Sequence, residues 1–190
     1  MLKDLILKNR TYRRFYEDVK ISKEELLDLI ELSRISSSGA NLQPLKFILS
    51  TDEKKNSLIF NQLKWAAYLR DWDGPKEGER PTGYIIMLSD NNINKNLLWD
   101  SGISAQSILL GAVEKGYGGC QFGGINKPVL RNELNIPENF EIIMVIALGK
   151  PKEEVVLEDI KEDGSIRYYR DENGVHHVPK RKLEDLILDI

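Results

Sequence analysis

A chain of 190 residues has the length of one domain and is long enough to bury a substantial core. With 41% hydrophobic and 30% charged residues it is not of disordered composition, and a net charge of −3 argues against a general nucleic-acid binder. Its single cysteine, Cys120, excludes an internal disulfide framework or a CxxC centre and points to a reducing compartment, the cytoplasm.

Residues 2–8 predict a short amphipathic helix with Leu2, Leu5 and Ile6 on one face. Lys3 and Asp4 interrupt its apolar part, unlike a secretory leader, and no stretch approaches the ~18 consecutive apolar residues of a membrane span. Ser22 and Glu25 form a capping-box pattern ahead of Leu26, Leu29 and Ile30, so a second helix is expected to start there. It ends by Ile35, where three serines and Gly39 break it. Residues 45–51 read as a strand, with Asp52 capping another short helix. Residues 84–88 and 142–148 are continuous apolar runs, the pattern of strands covered on both faces.

Between those runs a helical pattern extends from about residue 95 to 115 and closes on Gly116 as the residue past its end. Its face carries Leu98, Ala105, Leu109 and Ala112, and the small residues Gly102, Ser104 and Gly111 admit a close neighbour. Residues 118–122 form a short strand, and Asn126 caps a helix around 128–134. Pro151 to Asp171 is charged, with Tyr168-Tyr169 as a hydrophobic tether. The chain then runs through Pro179-Lys-Arg-Lys182 to an amphipathic segment, 183–190. The elements alternate without a strict βαβ rhythm, which predicts a three-layer α+β fold in a single domain, residues 1–190.

Four segments carry candidate chemistry. Arg10, Arg13 and Arg14 beside Thr11 suit a phosphate, since guanidinium binds its oxygens in a bidentate fork; the alternative is a solvated patch pairing with Glu17 and Asp18. Residues 116–124 are dense in glycine yet fail as a dinucleotide fingerprint, because Gln121 stands at the sixth position. They fail as a P-loop because Gly124-Ile125 replaces Lys-Ser/Thr. What remains is a strand ending in Gly123-Gly124 whose N–H groups can face a ligand, or a helix cap followed by a tight turn. The loop from Ser36 to Pro44 offers hydroxyls and amides suited to the polar edge of a planar heterocycle, or simply joins a helix to a strand. Lys180, Arg181 and Lys182 are a second phosphate contact or a basic tail.

Other features are expected to be structural. His176 and His177 point to opposite faces of a strand with no cysteine near, so no metal site is expected. Cys120 has no base partner and reads as an inert packed thiol. Trp65, Tyr68, Trp72 and Tyr84 flank a polar loop, read either as a lid over residues 65–80 or as a satellite hydrophobic cluster.

Taken together these segments resemble the FMN-dependent nitroreductase family. The motifs stand here as Asn9-Arg-Thr-Tyr-Arg-Arg-Phe15, Ser37-Ser-Gly-Ala-Asn-Leu-Gln-Pro44, Asp100-Ser-Gly-Ile-Ser-Ala-Gln-Ser-Ile-Leu-Leu110, Gly123-Gly124 and Pro179-Lys-Arg181, in the family's order. The resemblance implies an α/β/α sandwich with a mixed, mostly antiparallel sheet flanked by helices and an extended C-terminal tail, residues 151–190, packing on a partner subunit. It implies FMN as cofactor, with Arg10 and Thr11 on the phosphate and Arg13 beside flavin N1. Ser37, Ser38, Gly39 and Asn41 would reach the flavin from the other subunit of a homodimer. Gln121, Gly123 and Gly124 would line the flavin face, and Lys180 and Arg181, with Lys182 as a competitor, would complete the phosphate site. Asn9 stands where the family has its first arginine, and Ser37 where it has proline. The helix around Gly102, Ala105 and Gln106 would form the dimer.

The implied activity is ping-pong transfer of a hydride from NAD(P)H through flavin N5 to a nitroaromatic, quinone or similar electron-poor acceptor. Arg13 and Gly123 tune the cofactor, and no side chain acts as a nucleophile. Neither a membrane nor a nucleic acid is expected as partner. The other readings are a specialised reductive enzyme on the same scaffold, such as a dehalogenase; a flavin-binding storage or sensing protein without turnover; and a phosphate-binding module without flavin.

Overall fold

The structure, a computed structural model, describes residues 1–69, 71–94 and 99–190. Local rules set most element ends. Helix α1 spans Leu2–Lys8 and leads through Phe15–Tyr16 (β1) to α2, Lys23–Arg34. At the start of α2 the Ser22 hydroxyl accepts from Glu25 N (3.1 Å) and the Glu25 carboxylate accepts from Ser22 N (2.8 Å), so both orphan donors are satisfied. Asp52 caps α3, Glu53–Phe60, by accepting from Lys55 N at 2.8 Å. Strands β2 (Leu45–Ser50) and β3 (Gly83–Asp90) flank that helix in the chain. The long helix α4 is Asp100–Glu114, and Gly116, at φ +79°, turns the chain into β4, Gly118–Phe122. Lys95 and Leu98, at the expected start of that helix, lie outside the described residues. Helix α5 (Lys127–Glu133) and strand β5 (Phe140–Pro151) complete the body.

The central sheet runs β1-β5-β3-β2, with β4 also on β5, and every one of these pairings is antiparallel. Alternation along β3 and β5 divides the core between the two faces. Tyr84, Ile86, Leu88, Val145 and Ala147 pack with Ile59 and Leu130 from α3 and α5. Ile85, Met87, Ile146 and Leu148 pack with Leu26, Leu29, Ile108 and Ala112 from α2 and α4. A bulge places Ile143 between residues paired with Met87 and Leu88, which returns Ile142 to the first of these faces. The three layers are therefore α3/α5, sheet, and α2/α4.

The small residues of α4 serve this packing within one chain. Ser104 shares a hydrogen bond with Ser33 (2.6 Å), Ala105 is fully buried, and a Cβ on Gly111 would lie 2.2 Å from Leu32 of α2. Of the residues expected to form a dimer through this helix, Ala105 is thus spent in the core, whereas Gly102 faces open space beside exposed Ile103 and Trp99.

The segment after Pro151 departs from the expectation of a charged tail with a tether. Strands β6 (Val155–Asp159), β7 (Tyr169–Arg170) and β8 (His176–Lys180) make a second sheet, β6 parallel and β7 antiparallel to the central β8. It lies against the chain's own body: His176 stands 3.2 Å from Arg13 Nη1 and the Arg170 guanidinium 4.3 Å from the centre of the Trp72 ring. Beyond it Leu183, Leu186, Ile187, Leu188 and Ile190 are all exposed.

Candidate functional site

Glycine in β4 is what builds the site. A Cβ on Gly118 would meet the Tyr12 ring at 2.4 Å, so only glycine there lets residues 9–13 lie along this strand, and one on Gly119 would lie 2.9 Å from the Ala147 carbonyl of β5. There Tyr12 N donates to Gly119 O (3.0 Å) and Thr11 bridges to Gly119 in parallel register. The C-terminal sheet closes the opposite side. Between them lies a cleft of about 470 Å³ lined by Arg10, Thr11, Arg13, Gln121 and Lys180, together with Asn9, Gln106, Tyr168 and His176.

The cleft is cationic for identifiable reasons. Arg10 donates through Nη2 to the Ile6 carbonyl at the end of α1 (2.6 Å), while its buried Nε has no protein partner. Arg13 is buried, with Nη1 3.2 Å from His176 Nε2 and its guanidinium 4.6 Å from the centre of the Tyr168 ring. Among the described residues none of Arg10, Arg13 and Lys180 forms an ion pair, and the Glu153 carboxylate beside Arg13 is occupied by Arg13 N and by Arg170. Burial, reinforced by Arg13 and Arg170, lowers His176 to about 4, so its ring is neutral at pH 7. A cleft with three uncompensated cations favours an anion with several oxygens.

Five of the twelve expected cofactor residues meet in this cleft. Ser37 and Ser38 instead line a second cleft of about 560 Å³ between α2 and β2. There buried Asp100 accepts from the Ser38 hydroxyl (2.6 Å) and from Gly39 N (2.8 Å). Asn41 is exposed in that loop, where Ala40, Asn41 and Gln43 all have φ near +50°. Three non-glycine residues in the left-handed region mark a loop held in shape by its contacts. Gly123 and Gly124 are exposed beyond β4, Gly124 O accepting from Lys64 N (2.9 Å), and neither lines the cleft. Arg181 is exposed outside it, as is Lys182.

Sequence reasoning did not assign Tyr168 or His176 to the site, since nothing local marks them; His176 reaches Arg13 across 163 positions. His176 and His177 do face apart: His177 stacks on Tyr169 (4.7 Å) and touches Glu158 and Asp171. Cys120 is buried, and desolvation pushes its thiol up to about 12, so it is not a thiolate. In the loop after α3, Trp65 packs on Phe122 (4.6 Å) and Phe60, a satellite of the core. Tyr68 meets Tyr168 at 4.9 Å and Trp72 lies under Arg170.

These features define a three-layer α+β protein with a sheltered cationic cleft of the size that takes a phosphorylated cofactor. The chain belongs to the nitroreductase family, whose model matches residues 6–150. YodC of Bacillus subtilis (strain 168), a protein named for NAD(P)H nitroreductase activity, is 27% identical over 176 residues, covering 76% of this chain and 87% of its own. An iodotyrosine deiodinase of Thermotoga neapolitana is 25% identical over 171 residues, covering 80% and 89%. The solved structure of an FMN-dependent nitroreductase from Clostridium difficile R20291 superposes with a TM-score of 0.62 over 78% of this chain and 87% of its own, at 24% identity. Membership makes the protein a nitroreductase-type oxidoreductase. Among the described residues no helix is long and apolar enough to cross a membrane.

Proposed function

We propose that the protein is a cytoplasmic, homodimeric, FMN-dependent NAD(P)H oxidoreductase whose acceptor is a nitroaromatic, a quinone or a similar electron-poor compound. The observation that carries this reading is the cleft of unpaired cations, Arg10, Arg13 and Lys180, over the glycines of β4. The residues fit FMN. Arg10 Nε is a buried donor without a protein acceptor, and a phosphate oxygen is the partner it lacks.

Bound FMN supplies uptake of a hydride from NAD(P)H at N5 and its delivery to the acceptor at the same place, which makes the mechanism ping-pong. Arg10, Thr11 and Lys180 hold the phosphate, with Arg181 or Lys182 at its outer edge. Arg13 would supply a positive charge on the N1 side of the ring, where negative charge would be stabilised. Gln121 would border the ring face from the cleft wall, and Gly123 and Gly124, past the end of β4, would reach only its margin. No side chain serves as a nucleophile, in keeping with the protonated Cys120 and the neutral His176. The Ser37–Asn41 loop, held by Asp100 in a cleft apart from its own chain's cationic one, serves the flavin of the partner subunit. The exposed apolar end of the 151–190 extension packs on that subunit.

Arg10→Ala and Lys180→Ala are each expected to weaken FMN binding about tenfold, the loss of one charge-assisted contact in a partly sheltered site. Quenching of FMN fluorescence measures this, and unchanged affinity in both variants would overturn the assignment. Initial rates with NADH and a nitroaromatic should give parallel double-reciprocal lines; intersecting lines would exclude one shared site. The deiodinase relative favours a second reading, reductive dehalogenation, which halide release from a halophenol in excess of nitro reduction would establish.

A further inference from the structure

The cation expected beside the flavin is not left to orient itself. Arg13 has a buried carboxylate close by, Glu153, whose side chain is fully enclosed. Collapse of the guanidinium onto that carboxylate would neutralise the cleft, yet both Glu153 oxygens are engaged, one by the backbone N–H of Arg13 and the other by Arg170 Nη2 at 2.9 Å. The guanidinium is instead held by His176 of β8 and by Tyr168, the residue before β7, both beyond the family-matched residues 6–150. His176, 1% exposed, stands 3.2 Å from Nη1, and the Tyr168 ring lies beneath Cζ at 4.6 Å. Tyr168 is itself packed between His176 (5.2 Å) and Tyr68 (4.9 Å).

Guanidinium has no acceptor, so the contact exists only if His176 Nε2 carries its lone pair and the ring proton sits on Nδ1. That tautomer leaves Nδ1–H buried without a protein partner, a cost the ring bears while it serves Arg13. The charges acting on this imidazole are Arg13 and Arg170 and, from the other face of the strand, His177, and all of them oppose a charged ring.

We propose that His176 is a positioning residue for Arg13: as a neutral acceptor backed by Tyr168 it fixes the guanidinium in the cleft as an unpaired cation, there to meet the anionic edge of the bound ring. The ligand in this statement rests on the flavin reading; the His176–Arg13 geometry does not. Two measurements separate them.

In the ligand-free protein, ¹⁵N-edited NMR of the histidines should find His176 as the neutral Nδ1–H tautomer, with a titration that moves in Arg13→Ala. An Nε2–H tautomer, or a titration indifferent to Arg13→Ala, would overturn the proposal. FMN affinity should fall about tenfold in His176→Ala and in the shape-preserving His176→Phe. It should stay within about twofold of wild type in His176→Gln, whose amide oxygen restores the acceptor. In an Arg13→Ala background His176→Ala should cost less than about twofold, since a residue acting through another has no effect once that other is gone. Additive losses would overturn the positioning role. The Gln and Phe pair decides the matter if the Ala variant fails to fold. If wild type binds no FMN while the NMR result stands, the flavin reading falls and the fixed cation remains.

Discussion

At the scale of single residues, two buried groups set how the protein responds to acid. His176 has an ordinary value of 6.5 and is lowered to about 4 in the fold by burial and by Arg13. The unfolded chain therefore takes up this proton first. Stability is unaffected above pH 6.5 and falls as pH drops from 6.5 to 4, by up to about 3 kcal/mol. Glu79 behaves oppositely in cause. The hydrogen bonds from Arg14, with Lys152 at 3.1 Å, hold its carboxyl at about 2 against an ordinary 4.5. Its contribution is complete above pH 4.5 and disappears as pH falls through 2. Urea denaturation of wild type and His176→Gln at pH 7, 5.5 and 4.5 should converge at low pH, because the variant lacks the first of these losses. A constant difference would contradict the assignment. Phosphate-type basic residues were legible in the sequence because Arg10, Thr11 and Arg13 stand within four positions. His176 was not, since its role arises only when β8 returns to the first strand region.

At the scale of elements, glycine and one carboxylate do the shaping. A methyl at Gly119 would press on Leu109 (2.7 Å), Leu148 (2.8 Å) and the Ala147 backbone oxygen (2.9 Å). Gly119→Ala must push β4 away from β5, and we expect a loss of about 1–3 kcal/mol with weaker ligand binding, because residues 9–13 register on this strand. Thermal unfolding and FMN titration of the same variant check both effects. Asp100→Ala removes the acceptor for Ser38 and Gly39 and frees the loop with three left-handed residues. A loss of about 2 kcal/mol is expected in urea denaturation. Unaltered stability would mean that the loop holds itself.

The strongly patterned elements could be read in advance. The capping box of α2, the strand β4 and the apolar runs of β3 and β5 need only local rules. The C-terminal sheet could not. Its strands are short, partly charged and interrupted by Pro179, which argues against the centre of a sheet. Pro179 is tolerated there because β7 pairs only with His176 and His177, leaving that flank of β8 open further along. The small residues of α4 were legible as admitting a close neighbour, and Ser104 and Gly111 do receive α2 of the same chain.

At the scale of the whole molecule, apolar surface remains that one chain does not cover. Leu2, Ile6 and Leu7 of α1, Trp99, and the 183–190 segment are exposed, and the Ser37–Asn41 loop lies in a cleft of its own. In the homodimer of the proposed function these surfaces would meet and the loop would complete the partner's flavin site. Sedimentation with FMN should find a dimer, and removal of residues 183–190 should lower its stability to dilution. A monomer that holds FMN tightly would contradict the shared site.

The measurement that tests the central claim most directly is the visible absorption spectrum of the purified protein, taken with FMN added and then with NADH or NADPH under anaerobic conditions. The expected result is a bound flavin band that bleaches on reduction and returns when a nitroaromatic or quinone is supplied. A protein that stays colourless with excess FMN would contradict the cofactor, and a band that neither nicotinamide bleaches would contradict the oxidoreductase.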